Sequence, residues 1–169
     1  MKRFDKLSGT LTVQELSDRV QIEDLLYLEI TAIDERDWDM WESIYTADAL
    51  VDWSEAGAMK GTPAEVRRYA EGVLNTFPYP AYQHLCSNLV IRLAGDEASC
   101  RSMQYIAVPL PDASGKRQMS FQGIWFEDRL RRTAEGWRIC ERIERLAWRH
   151  NFPEAYEIPD PLKFRAPSR

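Results

Sequence analysis

Hydrophobic positions recur at helical spacing in the first third of the chain and alternate from residue 83 onward, so the sequence divides at that change of period. Thr12-Val13-Gln14-Glu15 has the capping-box pattern of a helix start. Leu16, Val20, Leu25, Tyr27, Leu28, Ile30 and Ile33 follow at near-helical intervals to about Asp34. Asp37 then caps a short second helix whose apolar stripe is Trp38, Trp41, Ile44 and Tyr45. Residues 49–53 read as a short strand and 57–61 as a turn. Thr62-Pro63-Ala64-Glu65 is a second capping box, with proline at the first helical position, opening a helix to about Asn75. Phe77-Pro78-Tyr79-Pro80 ends it. Four long strands are predicted at about 83–93, 98–108, 118–132 and 137–148, separated by Gly- and Pro-bearing turns.

Helices followed by a strand meander predict an α+β fold, a curved, mainly antiparallel sheet wrapped around the N-terminal helices. Such a sheet leaves a pocket at its open end. Residues 1–11 form a polar arm, 12–150 the domain, and 151–169 a proline-bearing tail. Phe152, Tyr156, Ile158, Leu162 and Phe164 suit that tail to docking on or near the pocket.

Composition narrows the function. A chain of 169 residues that is 44% hydrophobic can bury one full core, which argues against disorder. The net charge of −5, with acids and bases interspersed, offers no nucleic-acid footprint. Met1 to Lys6 leads into no apolar run, and no stretch approaches the length of a membrane span, so a soluble cytoplasmic domain is expected. Cys86, Cys100 and Cys140 lack metal-ligand spacing and read as buried reduced thiols. Two histidines without H-x-x-H or C-x-x-C spacing argue against a zinc site, and no glycine-rich phosphate loop is present.

The chemistry centres on Tyr82-Gln83-His84-Leu85-Cys86-Ser87-Asn88. Strand alternation places His84, Cys86, Asn88 and Val90 on one face, and Leu85, Leu89, Ile91 and Leu93 on the other. An imidazole facing a core needs a partner. Asp34, ending the first helix, is the best carboxylate to fix its tautomer and make it a general base. The alternative is a structural histidine beside a solvated acid.

The phrases Ile22-Glu23-Asp24-Leu25-Leu26 through Ala32-Ile33-Asp34, His84-Leu85-Cys86-Ser87-Asn88-Leu89, and Gly123-Ile124-Trp125-Phe126-Glu127-Asp128 through Gly136-Trp137-Arg138-Ile139, in that order, resemble the SnoaL-like branch of the nuclear-transport-factor-2-like superfamily over about residues 12–150. Its lyases include enzymes of the scytalone dehydratase, hexachlorocyclohexane dehydrochlorinase and bile-acid 7α-dehydratase types. The resemblance implies a cone-shaped α+β barrel, a His84–Asp34 dyad, and no metal or organic cofactor. It implies Arg142 near a leaving group, or else a sheet-surface arginine, and Trp53 where relatives carry a pocket tyrosine. Tyr27, Asn88 and Trp125 complete the expected substrate-binding set, while Glu29 is either a second acid or a half-exposed helix position.

The expected function is a cofactor-independent lyase acting on a small hydrophobic, aromatic, hydroxylated substrate, with isomerase or cyclase chemistry open to the same site. The expected assembly is a homodimer or homotrimer. The alternative is a non-catalytic subunit: Leu26-Tyr27-Leu28-Glu29, Trp38 to Trp41 and Asp52-Trp53 also resemble the β subunit of aromatic-ring-hydroxylating dioxygenases, although the long loop of that subunit is missing from residues 54–82.

Overall fold

Helix α1 (Val13–Glu35) begins where Thr12 Oγ1 accepts the Glu15 N–H at 3.1 Å and Glu15 Oε2 accepts the Thr12 N–H at 2.7 Å, closing the predicted capping box. The computed structural model describes residues 10–75 and 83–152. The linker at Phe77 to Pro80, the first nine residues of the arm and the tail from residue 153 lie outside them.

The phase of α1 differs from the hydrophobic count. Its buried face carries Asp18, Ile22, Leu25, Leu26, Glu29, Ile30 and Ile33, at steps of three and four. Leu16, Val20, Tyr27 and Leu28 are exposed. Two acids belong to the core-facing stripe, so Glu29 is fully buried rather than half-exposed. The helix stops at Arg36, in the left-handed region at φ 58°. There the N–H groups of Arg36 and Asp37 close onto Ile33 O at 3.1 Å and Ala32 O at 2.8 Å. Asp37 caps α2 (Trp38–Ser43), accepting the Met40 N–H at 3.0 Å.

Strand β1 (Tyr45–Asp52) is longer than predicted. Strand β2 (Lys60–Gly61), read from sequence as turn, pairs antiparallel with its end. Helix α3 (Pro63–Leu74) starts at the second capping box and buries Val66, Tyr69, Ala70 and Val73. The meander follows as β3 (Gln83–Ala94), β4 (Glu97–Pro111), β5 (Arg117–Thr133) and β6 (Gly136–His150).

The six strands lie in the order β2-β1-β6-β5-β4-β3. All pairs are antiparallel except β1 with β6, where Val51 pairs with Arg142 in parallel register. The sheet is therefore mixed, curved and open-edged, with the helices on its concave side. Trp41, Ile22, Leu26, Ile124, Leu130 and Ile139 pack between the layers. Among the described residues, no helix is long and apolar enough to cross a membrane.

One irregularity matters for the site. The β3–β4 register shifts between Ser87 and Val90, and Asn88 sits at φ 52°, a region asparagine enters more readily than most residues. This bulge reverses the alternation. His84 and Cys86 point inward before it, and Leu89, Ile91 and Leu93 pack on the core after it. The predicted sharing of a face by His84 and Asn88 is thereby corrected. Leu85, expected beside Leu89, is 57% exposed on the outside.

Candidate active site

Asp34 lies in the last turn of α1, where the helix dipole disfavours a carboxylate by roughly 0.3–1 kcal/mol. Two donors from one residue offset this. His84 gives its backbone N–H to Asp34 Oδ2 at 3.0 Å, and its ring Nδ1 lies 2.6 Å from Asp34 Oδ1. A carboxylate only accepts, so this contact assigns the proton to Nδ1 and the lone pair to Nε2. The side chains are 10% and 23% exposed, respectively.

The ring borders a cavity of about 180 Å³. Apolar walls come from Ile33, Ala70, Val73, Ile106, Ile124 and Phe126, and Phe152 lies at its margin. Polar side chains are few: His84, Gln104, Gln122, Glu144, Arg149, Tyr69 and the Trp53 indole. An apolar enclosure with a small number of placed polar groups is the usual form of a small-molecule site.

Of the residues expected to bind substrate, Trp53 reaches the cavity and four do not. Asn88 is exposed in the bulge itself, its amide 4.0 Å from Met103 Sδ. Tyr27 is exposed on α1 and donates its hydroxyl to Glu23 at 2.7 Å. Trp125 lies in the opposite phase of β5 to Ile124 and Phe126, beneath the Arg101 guanidinium at 3.8 Å from its ring centroid.

Arg142, expected near a leaving group or on the sheet surface, does neither. It is fully buried, 3.2 Å from Glu29 Oε2 and 3.6 Å from Asp128 Oδ1, with Phe126 against its plane at 3.9 Å. Glu29 Oε1 also accepts from Trp41 Nε1 at 3.1 Å and from the Tyr45 hydroxyl at 3.3 Å. Burial raises Asp128 to about 7, against the pull of Arg142, and raises the Tyr45 hydroxyl. None of these charged groups reaches the cavity. The cluster ties α1, α2, β1, β5 and β6 together.

Among the cavity residues missed from sequence are Gln104 and Glu144. Gln104 is 2% exposed, and its Nε2 has no partner among the described residues. Glu144 is 6% exposed, and burial pushes its carboxyl up to about 8, against Arg142 and Arg149. The signal for Glu144 was its position two residues after Arg142 on one strand, hence on the same inward face.

The SnoaL-like domain profile matches residues 14–143. The uncharacterised protein Rv2910c of Mycobacterium tuberculosis is 36% identical over 134 residues, covering 79% of this chain and 88% of its own. Hexachlorocyclohexane dehydrochlorinase LinA-type3 from Novosphingobium barchaimii superposes with a TM-score of 0.69 at 17% identity, over 86% of this chain and 97% of that one. A provisionally named scytalone dehydratase from Novosphingobium aromaticivorans gives 0.73 at 17% identity, over 88% and 100%. At such identities the two structures carry the fold alone. The profile and the mycobacterial relative carry the family, and this chain belongs to the SnoaL-like domain family.

Proposed function

We propose that the protein is a cofactor-independent lyase of the dehydratase or eliminase type, with His84 as general base and Asp34 as its orienting carboxylate. The observation that carries this reading is the two-point contact of Asp34 with His84, at 2.6 and 3.0 Å, beside an apolar cavity. Asp34 Oδ1 holds the Nδ1 proton and offsets the imidazolium charge, so that Nε2 is the ring nitrogen that takes a substrate proton. In a dehydration, Nε2 removes a proton from the carbon next to the one bearing a hydroxyl. The C–H electron pair becomes the new double bond, and the hydroxyl leaves with a proton from the imidazolium, as water. Burial strengthens each of these charge movements, and the apolar walls position the substrate. The names of the structural neighbours, a dehydrochlorinase and a dehydratase, support the same reaction class. Tyr69, Phe126 and Trp53 suit the cavity to an aromatic ring.

The test is elimination turnover of aromatic alcohols, diols and hydroxy ketones by the wild type and by His84→Ala, without added cofactor. His84→Ala is expected to lose at least about 100-fold in kcat/KM with its fold intact. Full activity in that variant refutes the mechanism.

A second reading, a non-catalytic assembly subunit, is favoured by the outer sheet face. Trp148 is 45% exposed there, close against Gly123, where any Cβ would collide with its indole. Leu85 and Met119 are exposed, and Tyr105 stacks on Phe121 at 5.6 Å. Hetero-oligomers, together with absence of turnover, would support this reading.

A further inference from the structure

The dyad accounts for only part of the polar lining of the cavity, and Trp53 and Glu144 stand at another part of it. Asp52 on β1 pairs with Ile143 on β6, so the next residues, Trp53 and Glu144, follow side by side on adjacent chains. Both line the cavity. Glu144 faces Phe126 on β5, whereas His84 faces Ile106 on β4. Strands β5 and β4 lie between them, which is about 14 Å along a flat sheet and less across a concave one.

Trp53 and Glu144 are unengaged. The Trp53 indole N–H is buried without an acceptor among the described residues, although the ring is only 9% exposed. Glu144 is more than nine-tenths buried, and none of the hydrogen bonds or ion pairs of the described residues involves its carboxyl. A buried donor left unpaired costs roughly 1–3 kcal/mol, and native interiors rarely leave one so. An unpaired indole N–H beside a carboxyl that lines an open volume is accounted for by a ligand oxygen that meets both.

We propose that Trp53 and Glu144 form a second polar subsite that binds an uncharged acceptor oxygen, a ring-borne carbonyl, on the side of the substrate remote from His84. This rests on reading the cavity as a substrate pocket. The substrate class becomes a fused or extended ring ketone, with its reacting carbon at His84 and its carbonyl oxygen between the Trp53 N–H and the Glu144 O–H. The charged groups around Glu144 are Arg142 and Arg149 on its own strand, Glu29 from α1 and Glu55 from the turn at Ser54–Ala56. From β5 it meets the uncharged Phe126, and His84 and Asp34 lie across the cavity. Burial outweighs the two arginines and keeps the carboxyl protonated to about pH 8, so it acts as a donor at neutral pH.

The test compares binding of 2-tetralone with that of tetralin, the same bicycle without the oxygen, by titration calorimetry at pH 6.5 and pH 9.5. The wild type is expected to bind the ketone about tenfold tighter at pH 6.5, a typical hydrogen-bond discrimination. That advantage is expected to vanish at pH 9.5, where Glu144 has lost its proton. Glu144→Gln keeps a donor that cannot titrate, so it should retain the advantage at both pH values. Glu144→Leu and Trp53→Phe should each cut it about threefold, Glu144→Leu making the preference independent of pH. His84→Ala should keep the full ketone preference, so failure of the elimination mechanism leaves this result standing. Equal affinity for the two probes, no binding of either, or an undiminished preference in Glu144→Leu overturns the subsite.

Discussion

Arg142 and His84 are both basic side chains at inward-facing strand positions, and both meet a carboxylate from helix α1. Arg142 is sealed: it has no exposed surface, and Glu29, Asp128 and Phe126 fill its surroundings. Its contacts are close ion pairs without hydrogen-bond alignment, because its nitrogens find no correctly oriented acceptor among the described residues. His84 keeps one ring nitrogen on Asp34 and lies at the wall of a cavity. The difference is access. A buried charge with no free volume beside it can only hold its neighbours, whereas a titratable pair beside an apolar space can act on what enters.

The largest effect that would break this comparison lies in the sealed cluster. Arg142→Met removes the cation that pairs with Glu29 and Asp128 and should cost about 3–5 kcal/mol of stability, the range for breaking a buried ion pair. Urea denaturation reads this as a lower midpoint with little change in slope. A variant as stable as the wild type, with altered turnover instead, would return Arg142 to the active site.

A second acid on α1 gives a smaller effect with a pH signature. Asp18 is 4% exposed and takes both terminal nitrogens of Arg132, at 2.8 and 2.7 Å, plus the Trp137 indole at 3.2 Å. Arg132 holds its carboxyl well below the ordinary value of 3.8. A depressed carboxyl stabilises the fold above its unfolded pKa, and that stabilisation is lost as pH falls through the folded one. Asp18→Asn should therefore cost about 2 kcal/mol at pH 7. The gap to the wild type should narrow as the pH drops below 3.8. A gap that stays constant to pH 2 would mean the charge is not what matters.

How legible these features were follows from what each signal measures. Capping boxes at Thr12 and Thr62, the turns at Gly95, Gly115 and Gly136 and the alternation of β4 to β6 are local chemistry, and they located the elements within a few residues. Asp34 with His84 was legible because both ends fall in regular elements whose order resembles a known family, and the structure puts them in contact. Hydrophobicity alone misread α1, because Asp18 and Glu29 occupy its buried stripe and draw their partners across the fold, Arg132 and Trp137 for Asp18 and Trp41 and Tyr45 for Glu29, with only Gln14 helping locally. It misread Asn88 because one bulge reverses the phase of a strand, and the bulge shows only in the backbone. The parallel pairing of β1 with β6 joins the two ends of the domain and has no local signature. That pairing also brings Trp53 beside Glu144, so the second polar corner of the cavity could not be assembled from spacing.

The smallest stability effect, and the one that most sharpens the contrast with Arg142, belongs to Asp34→Asn. The asparagine carbonyl can still accept the His84 backbone N–H, so the tie between α1 and β3 persists, and the change should stay within about 1 kcal/mol. Its amide group then faces Nδ1 as a donor, where a carboxylate oxygen stood at 2.6 Å. Nδ1 must become the acceptor, the ring proton moves to Nε2, and the nitrogen that was to take a proton from substrate now carries one. Turnover should fall by at least about 100-fold in a protein that unfolds almost where the wild type does. Nitrogen chemical shifts of the imidazole, measured by heteronuclear NMR at pH 8, should show the tautomer exchanged. If activity is lost while Nδ1 keeps its proton, Asp34 acts through charge rather than through the tautomer. If activity survives the exchange, His84 is not the base.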